Sequence, residues 1–271
     1  GGGNVELIDN NVHSAKNGIG GKTGNERLIN VDNTITAIKG EHNVIGQNRL
    51  SIYNEQLGSI LADNATLTID PSDTGEMVNK GTLGATNGGT LKLLKGTYNS
   101  TQGQLFANQG SQLDMTSAEL TNTGSSLNIS DSSSLKMESS TIKGGSTILG
   151  GTSINSFRNS TLTGGALEVG ENATLHLAGT GLLDNVALDI KGTAIVDYKQ
   201  FDSRPALINI DGDINNSGTL QIRSTAPIAR NQTESLLLIQ GSETRLTGGG
   251  NVELIDNNVH SAKNGIGRAT V

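Results

Sequence analysis

The histidines are the first side chains of this sequence to test for catalytic or metal chemistry. They are His13, His42, His176 and His260. No His-x-His or His-Glu-x-x-His spacing brings two of them together, so a transition-metal centre is not predicted. His176 stands between Leu175 and Leu177. That alternation predicts an outward-facing strand residue and not a general base or ligand.

Calcium is the next metal ion to consider, because Asp side chains and backbone carbonyl oxygens in turns between strands can bind it. The candidates are Asp70, Asp73, Asp211 and Asp213. Neither the GGxGxD nonapeptide nor an EF-hand loop is present, and Asp-Gly is commonly a simple turn. We predict no catalytic, cofactor or metal site, and calcium stays an unassigned possibility.

Polysaccharide-degrading enzymes built on β-helices would need paired carboxylates in one groove. In this sequence the carboxylates of the alternating segments occur singly, which predicts solvated strand faces; they are Glu119, Glu138, Glu168 and Asp189. Aromatic residues that could stack on sugars are scarce, with three Phe, three Tyr and no Trp. Thr-x-Thr steps recur too rarely for an ice-binding face, as at Thr66, Thr68, Thr161 and Thr163. We therefore predict that the protein is not an enzyme.

Charge and composition exclude further classes of function. The chain of 271 residues has a formal net charge of −7, so bulk attraction to nucleic acid is not expected. It contains no cysteine, hence no disulfide framework. The longest aliphatic run, residues 236–239, is far too short to cross a bilayer. The first residues show no apolar signal region, so we expect any secretion signal to lie outside this segment.

One segment of the sequence occurs twice without a mismatch. GGGNVELIDNNVHSAKNGIG occupies residues 1–20 and again residues 248–267, an offset of 247 residues. The sequences diverge directly afterwards, with GKTG after the first copy and RATV after the second. We interpret the copies as junctions of a tandem array with a super-repeat of 247 residues.

A shorter period lies within this unit. Short segments alternate aliphatic and polar residues, which is the pattern of strands with one buried face. Their aliphatic pairs are Leu67/Ile69, Leu91/Leu93, Leu113/Met115, Leu127/Ile129, Leu135/Met137, Leu167/Val169, Leu175/Leu177, Leu188/Ile190 and Leu220/Ile222. Comparable anchors recur every 20 to 25 residues, as from Leu91 to Leu113 and from Leu175 to Ile195.

These spacings predict an all-β fold, a parallel β-helix (β-solenoid) with about 20–25 residues per coil, running through residues 1–271 as a single segment. Gly and Asn between the strands suit corners that need positive φ. An immunoglobulin-like sandwich is the alternative, but this sequence has neither the Cys pair nor the core Trp that are typical of that fold. A column of Leu, Ile and Val fills the interior without large aromatic residues.

Asparagine in Asn-x-Ser/Thr sequences has two interpretations. These residues are Asn64, Asn99, Asn159, Asn172 and Asn231. In a stacked solenoid, we expect part of them to form ladders of side-chain amide hydrogen bonds inside the corners. Surface glycosylation is the other interpretation.

Two stretches resemble strand repeats of giant bacterial surface proteins. They are LINVDNTITAIKGEHNVIGQNRLSIYNEQLGSILADNATLTID at residues 28–70 and VNKGTLGATNGGTLKLLKGTYNS at residues 78–100. The surface proteins are hemagglutinin-like and adhesin-like exoproteins. The resemblance implies secretion to the cell surface, a right-handed helix, and a role in adhesion, biofilm or surface fibres. The partner expected first is a further copy, joined head to tail covalently or by stacking. The alternative is an adhesin repeat that binds a glycan or cell-surface ligand, and a polysaccharide-degrading enzyme ranks third.

Overall fold

The computed structural model describes residues 2–10, 16–197, 206–224, 234–256 and 263–268. Within them all regular structure is β-strand, arranged in three parallel sheets of 11 strands. Each strand pairs with the strands three before and three after it in the chain. The chain therefore winds through sheets 1, 2 and 3 in turn, which is the predicted β-solenoid. Its right-handedness stays a prediction.

The three sheets take every third strand. Sheet 1 contains β1 (Asn4–Ile8), β4 (Thr34–Lys39), β7 (Ser59–Asp63), β10 (Thr82–Thr86), β13 (Gln104–Ala107), β16 (Ser126–Ile129), β19 (Ser146–Leu149), β22 (Ala166–Val169), β25 (Ala187–Ile190), β28 (Ile214–Asn216) and β31 (Leu246–Thr247). Sheet 2 contains β2 (Asn17–Gly20), β5 (Asn43–Gly46), β8 (Thr66–Ile69), β11 (Thr90–Leu94), β14 (Gln112–Thr116), β17 (Ser134–Glu138), β20 (Ile154–Arg158), β23 (Thr174–Ala178), β26 (Thr193–Asp197), β29 (Thr219–Ser224) and β32 (Asn251–Asp256). Sheet 3 contains β3 (Glu26–Asn30), β6 (Leu50–Asn54), β9 (Glu76–Asn79), β12 (Thr97–Asn99), β15 (Glu119–Thr121), β18 (Thr141–Lys143), β21 (Thr161–Thr163), β24 (Thr180–Asp184), β27 (Ala206–Asp211), β30 (Glu234–Ile239) and β33 (Lys263–Arg268).

The alternating pattern of the sequence sets which side chains point inward. All nine predicted aliphatic pairs lie on strands, and both members of each pair are buried. In sheet 2, Leu67, Leu91, Leu113 and Leu135 stack directly on one another. The register prediction is confirmed there. With about 4.8 Å between paired strands, 11 strands give a rod about 50 Å long.

One predicted register is wrong. Leu175 pairs with Ala194 and not with Ile195, which pairs instead with His176 on the outer face of sheet 2. This coil is short, because it runs only from Thr174 to its partner Thr193. A shift of one residue moves a side chain to the other face of a strand. Spacing measured between aliphatic residues therefore misassigned Ile195 to the interior.

The interior contains a ladder of asparagine side chains at the corner between sheets 3 and 1. The Nδ2 of Asn30 donates to the Oδ1 of Asn54 at 2.8 Å, and the Nδ2 of Asn54 donates to the Oδ1 of Asn79 at 2.8 Å. The ladder ends where the Nδ2 of Asn79 donates to the Oγ of Ser100 at 3.1 Å. All four residues are buried. The same amides also donate to backbone carbonyls of the corner, as Asn54 does to Thr82.

The expected kind of ladder is therefore present, but its members are not the asparagines of the Asn-x-Ser/Thr sequences. Asn64 and Asn159 have positive φ at turns, Asn172 is exposed, and Asn99 accepts hydrogen bonds from Thr101. Asn231 lies outside the described residues. The ladder asparagines are instead the last residues of β3, β6 and β9, where the side chain still points inward.

Replacing Asn54 with Ala is expected to destabilise the protein by about 3 kcal/mol, because Asn30, Asn79 and two backbone carbonyls lose a buried partner. Equilibrium denaturation in guanidinium measures the change. Asn172→Ala, at an exposed corner, is the matched control, with an expected change below about 0.5 kcal/mol. Equal effects of the two substitutions would contradict a structural role for the ladder.

Candidate functional site

In the described part of the chain, the surface regions that could hold a partner include the outer face of sheet 2, a groove beside Phe106, and the two ends of the rod. The positions singled out by the sequence are distributed among them. His13 and His260 lie outside the described residues. His42 lies in the first coils, where its Nδ1 is 2.9 Å from the Oδ2 of the buried Asp9.

His176 lies on a strand as predicted, but it is buried and only 7% exposed. Its ring belongs to the outer face of sheet 2, between Ser156 and Ile195 in the neighbouring strands. Burial lowers its pKa, and the nearby Arg223 guanidinium lowers it further, while Asp197 opposes them. Among the described residues, Nδ1 has no hydrogen-bond partner. The solvent exposure that alternation implied is thus wrong for this position.

The sequence shows the acidic residues of the strand faces singly, but in the structure they are not isolated from other charges. Each has a basic partner on the next coil or at the corner that follows it, at distances of 2.7 to 3.4 Å; the pairs are Glu119–Lys143, Glu138–Arg158, Glu168–Lys191 and Asp189–Lys191. These groups are largely exposed, so solvent screens the pairs and each contributes little to the stability of the fold. Searching for opposite charges at the coil spacing would have found the inter-coil pairs.

Two carboxylates share a small groove on the outer face of sheet 2. Asp114 and Glu138 both line it, together with Lys136, Ser156 and Arg158, around a volume of about 210 Å³. Burial raises the pKa of Asp114, whose Oδ2 accepts a hydrogen bond from Gln112 at 2.8 Å. Glu138 is ion-paired with Arg158. The volume is below the ~300–1,000 Å³ typical of ligand pockets, so the groove admits at most one small group.

The candidate calcium ligands do not converge. Asp70 is buried after β8, and burial raises its pKa. Asp73 accepts a hydrogen bond from Asn48, and Asp213 accepts one from the backbone of Arg245. Asp211 ends β27. In the part of the chain that the structure describes, no three His, Asp or Glu residues are placed to hold a metal ion together.

The threonine pairs Thr66/Thr68 and Thr161/Thr163 flank buried leucines on the outer faces of sheets 2 and 3. Thr66 stacks on Thr90 and Thr161 on Thr141, but Thr68 stacks on Lys92 and Thr163 on Lys143. The second threonine column is therefore interrupted after one coil. These faces present mixed polar side chains and not a regular threonine array.

A larger groove, of about 690 Å³, runs beside Phe106 on the outer face of sheet 1. The ring of Phe106 lies over Gly84 on the neighbouring strand, where an added Cβ would come within 2.6 Å of two ring carbons. The other walls are polar and include Gln104, Asn108 and Asn128. The Oδ1 of Asn108 is buried with no partner in the described residues. An aromatic ring beside polar side chains is an arrangement that binds polar ligands with one apolar face.

Sequence reasoning missed this groove because it counted few aromatic residues in total. The signal was the register: Phe106 follows Leu105 on an alternating strand, so it must point outward, and Gly84 is its partner one coil earlier. A glycine one coil before an outward aromatic residue leaves room for the ring.

At the two ends of the rod, the edge strands β1 to β3 and β31 to β33 are paired on one side only within the described residues. Inward-facing apolar side chains are exposed there. Val5 is 40% exposed at one end, and Val252 and Leu254 are 40% and 58% exposed at the other. Unpaired strand edges with apolar side chains beside them are templates for further strands.

None of the described residues forms a helix long and apolar enough to cross a membrane. Comparisons with protein-family models, with curated proteins and with solved structures give no match.

His176→Gln is expected to remove part of the pH dependence of stability. Because the pKa of His176 is lowered in the folded state from 6.5, its neutral form stabilises the fold above that pH, and the stabilisation is lost as the pH falls below it. Urea denaturation between neutral pH and about pH 5 measures the free energy of unfolding. The wild type should lose more stability than the variant, whereas parallel curves would show that the burial of His176 has no effect.

Proposed function

We propose that this chain is a non-catalytic structural unit of a long β-solenoid rod at a bacterial cell surface, joined end to end with further units. The observation that carries the proposal is that the described strands form one continuous stack, whose terminal strands β1 to β3 and β31 to β33 each have one unpaired edge within the described residues. The surface location and the membership in giant repeat proteins rest on the resemblance of residues 28–70 and 78–100. Length and stiffness are the properties that such a unit contributes.

Stacking another coil on either end is favoured by the same forces that build the rod. Each new coil satisfies a row of backbone donors and acceptors and covers inward apolar side chains such as Val5 and Leu254. Covering apolar area contributes about 25 cal/mol per Å². A contact between different ends, repeated along one axis, produces an open filament and not a closed ring.

Sedimentation velocity at increasing concentration tests this proposal. We expect the mass to rise together with the frictional ratio, because end-to-end joining lengthens the particle without widening it. Negative-stain electron microscopy of the same samples should show rods of constant width, in multiples of about 50 Å in length. Particles that widen on association, or remain single at every concentration, would contradict end-to-end joining.

The groove beside Phe106 favours a second candidate function, that of an adhesin repeat binding a glycan. A sugar ring presents an apolar face to an aromatic ring and hydroxyl groups to amides, and the groove supplies Phe106, Asn108 and Asn128 for these contacts. Its volume of about 690 Å³ lies within the ~300–1,000 Å³ range of ligand sites.

Phe106→Ala is expected to weaken glycan binding at least tenfold, which corresponds to about 1.4 kcal/mol. A glycan array identifies a ligand, and calorimetry then compares the variants. Tyr53→Ala, which removes a half-buried aromatic ring from the outer face of sheet 3, is the matched control and should bind normally. No binding by the wild type, or equal binding by both variants, would exclude this groove as a glycan site.

A further inference from the structure

The two identical segments occupy different faces of the solenoid. The first copy supplies β1 in sheet 1 and β2 in sheet 2, whereas the second supplies β32 in sheet 2 and β33 in sheet 3. From β1 to its counterpart β32, the chain advances by ten full coils and one additional strand. The same residues nevertheless point inward in both copies: Val5 stacks on Ile35 and Val252 on Leu220, while Ile19 and Ile266 stack on Ile45 and Leu237.

Another motif also occurs twice in the sequence and leads into a different sheet each time. Asn-x-Gly-Thr-Leu begins at Asn79 and at Asn216, and both asparagines are buried. The first copy leads from sheet 3 into β10 of sheet 1, and the second leads from sheet 1 into β29 of sheet 2. All three sheets require the same inward aliphatic column, so a strand and corner that fit one sheet also fit the next.

The contacts of the second copy show how the edge of sheet 2 receives this sequence. β32 pairs with six residues of β29. The backbone N–H of Asn251 donates to Gly218 at 2.9 Å, and Gln221 donates to the side chain of Glu253 at 2.9 Å. Leu254 stacks on Ile222. Each contact of the second copy uses a residue that the first copy also has, at Asn4, Glu6 and Leu7.

We propose that β1 and β2 of a second chain take the place of β32 and β33 on β29 and β30, and so join two chains head to tail by strand exchange. This inference rests on the proposed end-to-end assembly and specifies its joint. The incoming β1 and β2 make the contacts that β32 and β33 now make. The incoming β3, the next strand in the chain, then falls on the outer edge of β31 in sheet 1, which has no neighbour in the described residues.

The second copy acts in this arrangement as an internal cap that imitates the first coil of the next chain. Exchange replaces two strand pairings with two that differ only at the end of β33, where Gly21 takes the place of Arg268, and it adds the pairing of β3 with β31. Against that gain stands the high effective concentration of the resident segment, which is attached to its own site. Anything that weakens the resident copy alone therefore favours joining.

The two copies allow a matched test, because the same substitution can be placed in either. Leu254→Asp weakens the resident cap and leaves the incoming coil intact, so the weight-average mass should rise several-fold above that of the wild type at equal concentration. Leu7→Asp weakens the incoming coil, so the chains should remain monomeric. The double variant should also remain monomeric. Sedimentation velocity measures the mass, and circular dichroism verifies that each variant keeps its strands.

Opposite effects of the two substitutions support exchange. Equal weakening by both would show simple stacking of the complete ends, which overturns exchange and leaves the rod intact. Absence of association in the wild type and every variant would overturn both proposals.

A peptide gives a second measurement that does not depend on the folding of the Leu7→Asp variant. Biotinylated GGGNVELIDNNVHSAKNGIG should bind the Leu254→Asp chain, whose edge is vacated, at least tenfold more tightly than the wild type, and a scrambled peptide should bind neither. Failure to bind a folded Leu254→Asp chain would overturn exchange.

Discussion

From β4 onward, each described strand is stacked in parallel on the strand one coil earlier, and the remaining features follow from that constraint. An inward side chain packs against the side chains at the equivalent positions of the coils above and below it. Its residue type must therefore pack well against residues of the same kind. Leucine, isoleucine and valine do so at the close spacing of paired strands, which explains how the core forms with so few aromatic residues. Asparagine is tolerated inside for the same reason: its amide donates to the next amide in the column, as from Asn30 to Asn54.

The same constraint makes the three faces similar, and the first and last described strands of each sheet are paired on one side only. Outward positions carry no such requirement, and they vary from inter-coil ion pairs to the Phe106 ring that lies over Gly84. The inward positions of all three sheets require the same aliphatic residues. The duplicated segment can therefore form strands of sheets 1 and 2 at one end of the rod and strands of sheets 2 and 3 at the other. The proposed joining between chains therefore uses the same kind of contacts as the winding within a chain.

Alternation of residue types was sufficient to predict the strands, their inward faces and the column through Leu91 and Leu113. It failed where a coil changes length, as at Ile195, since counting from one aliphatic residue to another cannot detect a shift of one residue. It also failed for His176, because alternation states which way a side chain points but not whether the outer face is covered. The asparagine ladder was expected at turns such as Asn64, where positive φ directs the residue to another role. The asparagines that form the ladder are instead the last residues of their strands, at positions where the alternation directs the side chain into the interior.

The most direct test of axial stacking as the basis of both fold and assembly is X-ray diffraction from concentrated, flow-aligned protein. The account predicts a reflection near 4.8 Å along the long axis of the particles, with a width that corresponds to a coherent stack longer than the ~50 Å of one chain. A reflection across the axis would contradict the solenoid arrangement. A width matching a single chain would show that the stacking ends at each chain and would contradict the continuous rod.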